Sequence, residues 1–357
     1  MSSEIPEEFA GLLTVDRSII YPISNLSALY FIYGFYVLLF GICVYMMRGR
    51  QQDNEHLNHN LYLSLTVVLF VLSTVFVAAK TVEEVRRSIF LFTTLQTGDY
   101  EPLLNYLTID VTKTVIFALL NIVAVLMNIA AELMLIHRCY LIWGSKKRVA
   151  VPLLTASILI NAVGLVSAIA QTIGIKDPDD ESTIVLFNDG ATAGFVYNIV
   201  SVVINSVLTL LTAGRIWWIH RQVVRIHGMH INDTLISSVS RIILESGVLY
   251  PAFAIVSLIT TNTTTMHAMP FDFWAPMVLI AGVAPTLILV RAKLGKNVKS
   301  LQIQISDIHF SSRPAPRGDD SVLSRTQVYS TGNPYVMAAE FQGEGSEQRF
   351  VDEKEAR

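Results

Sequence analysis

Apolar residues along this chain come in long runs of about the length that crosses a bilayer. A helix needs roughly 20 apolar residues to span the hydrocarbon core. Seven runs meet that length, at about 25–47, 61–79, 111–143, 149–175, 191–219, 235–260 and 271–290. The pattern predicts an all-α membrane protein, a seven-transmembrane helix bundle over 25–295, with a short extracellular N-terminus at 1–24. The run 88–95 (SIFLFTTL) is too short to span and reads as a membrane-surface or packed piece of the loop between the second and third spans. From about Ser311 the chain turns to Ser, Pro, Gly, Arg and Glu, so 296–357 reads as a cytosolic tail, mostly disordered.

Composition points the same way. Of 357 residues, 52% are hydrophobic and only 15% charged, against about 25% charged in soluble domains. Mean hydropathy is +0.49. So few charges cannot cover a water-soluble surface of this size, which excludes soluble enzymes, nucleic-acid-binding proteins and coiled coils. Residues 1–16 are acidic and lack a basic n-region, so the first span is expected to direct insertion.

The net charge of −3 matters less than where the charges lie. With the N-terminus outside, the inner segments hold Arg48, Arg50, Arg138, Lys146, Lys147, Arg148, Arg215, Arg221, Arg225, Arg241, Arg291, Lys293, Lys296 and Lys299. The outer segments hold only Arg17, Lys80, Arg86, Arg87, Lys113 and Lys176. The positive-inside bias predicts an outside N-terminus and a cytosolic C-terminus. Trp143, Trp217, Trp218 and Trp274 all fall at predicted span ends, where indole prefers to sit.

Polar residues inside spans are the main pointers to function. Asn121, Asn128 and Glu132 share one face of the third span; Asn161 lies in the fourth, Asn198 and Asn205 in the fifth, and Glu245 in the sixth. This set reads either as a polar network lining a cavity or as helix–helix glue. Glu132 and Glu245 are expected to be protonated or paired with Arg138 or Arg241. Pro251, Pro276 and Pro285 can kink the last two spans. No Cys or His spacing forms a metal site, no nucleophile–base–acid set occurs, and no cofactor is implied, so the chain reads as a non-enzyme. Residues 271–290 contain no lysine, which excludes a retinal Schiff base. Sequons occur at Asn25, Asn232 and Asn262; only Asn262 falls clearly on the outer side, as a glycosylation candidate.

The inner end of the third span reads His137-Arg138-Cys139-Tyr140, followed by Trp143 and Gly144. It resembles the acid-Arg-Tyr switch of G-protein-coupled receptors, with His137 in the acid's place and Cys139 inserted. With Arg215 and Arg241, these residues are candidates for a cytosolic-face switch. RCYLIWG at 138–144, LTAGRIWW at 211–218, ILESGVLYP at 243–251 and APTLILVRAKLG at 284–295 resemble a group of seven-transmembrane integral membrane proteins of mushroom-forming fungi. That resemblance implies a membrane bundle, and no activity.

The expected function is therefore a receptor-like membrane protein, placed in the plasma membrane. Its expected partners are the lipid bilayer, a small-molecule or lipid ligand and a heterotrimeric G protein, with no nucleic acid. Ser321, Ser324, Thr326 and Ser330 are candidate phosphorylation sites in the tail. The alternatives are a transporter or channel-like protein using the polar path, and a structural or lipid-interacting membrane protein.

Overall fold

The computed structural model of the chain describes residues 14, 16–48, 56–108, 110–144, 146–176, 180–227, 247–263 and 272–311. Among these, 94% are helical and none is in a strand. A π-helical turn, Asp16–Ile20, leads into α1 (Tyr21–Arg48); α2 is His56–Thr97, α3 Glu101–Thr108 and α4 Val111–Ile142. Then follow α5 (Lys147–Gly174), α6 (Glu181–His227), α7 (Leu249–Thr263) and α8 (Trp274–Ser311). Ile305 begins a second compact unit, of which only the continuation of α8 to Ser311 is described.

Six of these helices (α1, α2, α4, α5, α6 and α8) are long and apolar enough to cross a membrane; α7 contributes a shorter apolar helix. The chain is a multi-pass membrane protein. The predicted sixth span, 235–260, is seen only from Gly247 onward, because 228–246 lie outside the described residues. The tail serines and threonine also lie outside them.

Burial has the pattern of a bundle in lipid. Large apolar side chains such as Phe31, Leu38, Leu159, Val166 and Leu210 are exposed, whereas Ser73, Glu132, Ser201 and Thr286 are fully enclosed. In lipid, helices associate through close packing and interhelical hydrogen bonds, so polar groups turn inward. The central helix is α8: 83% of its window Trp274–Arg291 is buried, against 17% for the α5 span. One side of α8 packs Val278 and Leu279 against Leu29, Phe76 and Met127 of α1, α2 and α4. The other sets Met277, Ile280 and Ala281 against Val202, Tyr250 and Ala254 of α6 and α7.

Two helices outrun the sequence pattern. α2 has 42 residues, about 63 Å at 1.5 Å per residue, twice a hydrocarbon core of about 30 Å. The short run 88–95 is thus the continuation of α2, where the sequence suggests a separate piece of loop. It stays helical because α3 folds back on it: Leu91 is buried with Leu103 and Tyr106, and the Phe90 and Tyr106 rings stack at 4.5 Å. Arg86 then pairs with Asp110 at 2.7 Å, and Asp110 caps α4 by accepting from the Thr112 N–H. α6 begins at Glu181, ten residues before the apolar run at 191, because Asp180 caps it and its first turns pack on α5. Gly174 lies so close to Phe187 that an added Cβ would come within 2.7 Å of its backbone nitrogen.

Candidate functional site: a buried carboxylate shared by three helices

Glu132 is the centre of the site. It is completely enclosed, and both carboxylate oxygens are met by donors from three helices. Oε1 accepts from Asn128 Nδ2 on its own helix at 2.9 Å and from Ser201 Oγ on α6 at 3.2 Å. Oε2 accepts from Asn161 Nδ2 at 2.7 Å and from the Ser157 hydroxyl, both on α5. Asn128 Nδ2 also reaches Asn161 Oδ1 at 3.3 Å, and the Tyr197 hydroxyl donates to that same oxygen at 3.4 Å. Each buried polar group thereby finds a partner, which removes most of its desolvation cost.

The periodicity explains the convergence. Residues four apart lie one turn up the same helix face. Asn128 and Glu132 form such a pair on α4, Ser157 and Asn161 on α5, and Tyr197, Ser201 and Asn205 continue the step on α6. The helices come close because small residues line the α5–α6 seam. At Gly164, for instance, a Cβ would fall 2.7 Å from the Tyr197 ring.

The predicted polar residues do not all join this network. Asn121 is half-buried and donates to Phe117 O of its own helix at 3.0 Å, two turns away along α4. Asn205 is buried and donates to Ser201 O at 3.0 Å, so it touches the network through Ser201. Asn198 is half-buried and lines a neighbouring cavity. Glu245 and Arg241 lie outside the described residues, as does the side chain of Asn262. Arg138 is not the partner of Glu132; it sits further along α4 and turns toward α2. The sequence analysis does not pick out Ser157, Tyr197, Ser201 or Tyr250; the four-residue spacing from Asn161 and Asn205 points to the first three, and nothing in the pattern points to Tyr250.

Two small cavities meet at this network. One is lined by Asn128, Tyr197, Asn198, Ser201, Tyr250 and Trp274, among others. The second runs toward the other end of the bundle, past Leu135, Asn205, Thr209, Pro251 and Pro285. Asn128, Tyr250 and Ala281 belong to both. Prolines remove a backbone donor, so the carbonyls four residues before them lack their helical partner. Pro285 lies inside α8 and so frees the carbonyl of Ala281, in the wall of the second cavity; Pro251, in the same wall, falls in the first turn of α7, where no helical bond is lost.

At the end of the bundle that carries Trp143, the switch candidates separate into two groups. The His137 ring nitrogen Nδ1 lies 2.9 Å from the Tyr62 hydroxyl, and the Arg138 guanidinium lies 5.6 Å from the centre of the same Tyr62 ring. Arg138 Nη2 is buried with no hydrogen-bond partner among the described residues. Arg215 instead stacks on Trp218 at 4.4 Å and on Trp143 at 5.2 Å, which ties α6 to the end of α4. Tyr140 is half-buried on the same turn as His137. Gly144, at φ +67°, reverses the chain directly after α4, a conformation that suits glycine at a helix end.

The opposite end holds a second buried polar cluster. Lys80 pairs with Glu83 at 2.7 Å and with Glu84 at 3.3 Å. Asn25 donates to Glu84 Oε1 at 3.2 Å, and its Oδ1 accepts from the Asp272 N–H at 2.7 Å. These contacts tie α1 and α2 to the start of α8. Asn25 is 6% exposed, so in the folded protein its amide is not open to a glycan. No group of three or more metal-ligating side chains occurs among the described residues. Comparison with models of known protein families, with curated proteins and with solved structures finds no match for this chain.

Proposed function

We propose that this protein is a receptor-like seven-helix membrane protein of the plasma membrane, N-terminus outside and C-terminus cytosolic, that signals to a cytosolic heterotrimeric G protein. In this reading α7 is the visible part of the sixth span and α8 holds the seventh. The observation that carries the reading is the carboxylate of Glu132, which binds α4, α5 and α6 together beside a cavity walled by Pro251 and Pro285. Such an arrangement can hold two packings of the bundle, and an outer or intramembrane ligand that favours one of them shifts the population. The small cavities suit a ligand that enters as the helices part. Arg138, whose buried Nη2 has no partner among the described residues, is the group offered to the cytosolic partner.

The test is nucleotide exchange on a heterotrimeric G protein co-reconstituted with the full chain. Arg138→Ala is expected to lower the protein's stimulation of exchange by about tenfold, within a coupling energy of about 1–3 kcal/mol, while the melting temperature holds. Equal stimulation by the variant, or none by the parent chain, removes the receptor reading.

One observation favours a second reading. The two cavities meet at Asn128, so a polar path could join the two ends of the bundle when Tyr250 moves. In a transporter of this kind Glu132→Gln abolishes proton-coupled uptake into vesicles, and Arg138→Ala leaves it intact.

A further inference from the structure

The donors around Glu132 are of two kinds, and the difference has a chemical meaning. Amide N–H groups of Asn128 and Asn161 can only donate. Hydroxyls of Ser157 and Ser201 can donate or accept. Each carboxylate oxygen has one of each: Asn128 and Ser201 at Oε1, Asn161 and Ser157 at Oε2. A site built for a permanent anion needs only fixed donors, and a permanently neutral acid needs an acceptor. This site supplies both.

Ser201 is the group that makes the exchange possible in place. Its Oγ lies 3.2 Å from Glu132 Oε1 and also 3.2 Å from Asn128 Oδ1. With Glu132 ionised, the hydroxyl donates to Oε1. With a proton on Oε1, the hydroxyl turns to donate to Asn128 Oδ1 and accepts from the acid. No heavy atom needs to move: the one hydroxyl proton serves Oε1 in the ionised state and Asn128 Oδ1 in the protonated one. At Oε2 the Ser157 hydroxyl has no second acceptor among the described residues, so Oε1 is the oxygen suited to the proton.

The surroundings do not fix the charge. On α4 the nearest ionisable side chains are His137 and Arg138, more than a turn away and engaged with Tyr62. The α5 span holds no ionisable residue between Arg148 and Lys176, and α8 none between Trp274 and Arg291. From α6 and α7 the facing groups are the phenols Tyr197 and Tyr250, and α2 brings Tyr62. No cation among these groups bonds the carboxylate. The cavity lined by Asn128 and Ser201 has about 40 Å³ open to water, room for about two or three molecules. Glu132 itself does not line it; Ser201 does, and its hydroxyl is the link between the cavity and Oε1.

We infer that Glu132 is a reversible proton-binding site in the middle of the bundle, taking its proton at Oε1 from the Ser201 hydroxyl, which lines the Asn128–Ser201 cavity and is reprotonated there by water. The inference stands on the bonding of Glu132 and not on the receptor reading. The chemistry is a two-step relay: the Ser201 O–H proton passes to Oε1 as a hydronium ion in the cavity gives a proton to Ser201 Oγ, leaving water and an intact hydroxyl that now donates to Asn128 Oδ1.

Infrared spectroscopy of the full chain in lipid tests it, recorded as the pH is lowered. A protonated-carboxyl C=O band is expected to grow in, to be absent in Glu132→Gln, and to persist in Glu84→Gln. Should Glu132→Gln fail to fold, glutamate isotope-labelled at its side-chain carboxyl shifts the band in the unaltered chain, and Ser201→Ala supplies the local assignment. In Ser201→Ala the band moves in frequency, because the acid loses its acceptor. Asn161→Ala removes a fixed donor to the anion and raises the midpoint by about one pH unit. A band that Glu132→Gln does not remove, or one that fails to titrate, overturns the proposal. A band unchanged in Ser201→Ala overturns the assignment to Oε1.

Discussion

Asparagine and serine do in this bundle what charge pairs do in soluble cores. Four neutral donors hold Glu132, and removing the acceptor leaves all four buried without it. Replacement by Ala is therefore expected to cost more than the average interhelical bond of about 0.6 kcal/mol. Several orphaned groups at about 1–3 kcal/mol each, partly relieved by water in the cavity the shorter side chain leaves, predict a loss of about 2–5 kcal/mol for Glu132→Ala. Glu132→Gln, which keeps one oxygen, loses less; thermal melts in detergent check both. Glycines give a sharper contrast. Gly174→Ala brings a methyl to 2.7 Å from the Phe187 backbone, and backbone cannot yield as a side-chain tip can. It is expected to destabilise by about 1–3 kcal/mol. Gly41 has open space at its Cβ position, so Gly41→Ala is expected to leave the melting temperature unchanged or slightly raised. Sequence reading found Asn128, Glu132 and Asn161, because a polar residue in an apolar run stands out. It passed over Ser157 and Ser201, since serine is common in membrane helices and only the partner's position gives it a role.

Helix ends decide more than helix middles here. Apolar runs mark where a helix crosses lipid, but they say little about how far it continues into water. α2 and α6 both exceed their runs because local contacts, invisible to hydropathy, carry the helix onward: the packing of α3 on Leu91 in α2 and the Asp180 cap in α6. Asp180 illustrates this at the start of α6. Its carboxylate accepts from Ser182 Oγ at 2.7 Å and from the Ser182 N–H at 3.2 Å, and these bonds hold it below the usual aspartate range. A depressed carboxylate contributes its stabilisation above the ordinary value and loses it as pH falls through the lowered one. The first turn of α6 should therefore fray in acid, and Ser182→Ala should move that fraying to higher pH, read by amide hydrogen exchange. At α4 the same device has an ion pair attached. Asp110→Ala loses both the cap and the partner of Arg86, at a cost of about 1–2 kcal/mol, with faster exchange at Thr112.

The membrane class of the molecule is legible from composition alone, because few charges over many residues leave lipid as the only solvent that fits. The place of α8 at the centre is not legible. Its hydropathy is lower than that of α1, α2, α4 or α5, yet it is the most enclosed, since what counts there is fit against neighbours on two sides. Orientation rests on the basic residues, and protease protection of a C-terminal tag in sealed cells checks it. The tag is expected to resist until the cells are opened; cleavage from outside would undo the cytosolic assignment of Arg138 and with it the receptor reading.

A bundle sunk in a detergent belt offers an electron image little to align on. The far half of α2, braced by α3 through Leu91, Leu103 and Tyr106, stands clear of any membrane that holds its first half. Its tip at Gln96–Asp99 is exposed. A rigid fusion or an antibody fragment seated there would give the particle a landmark and leave the interior of the bundle untouched.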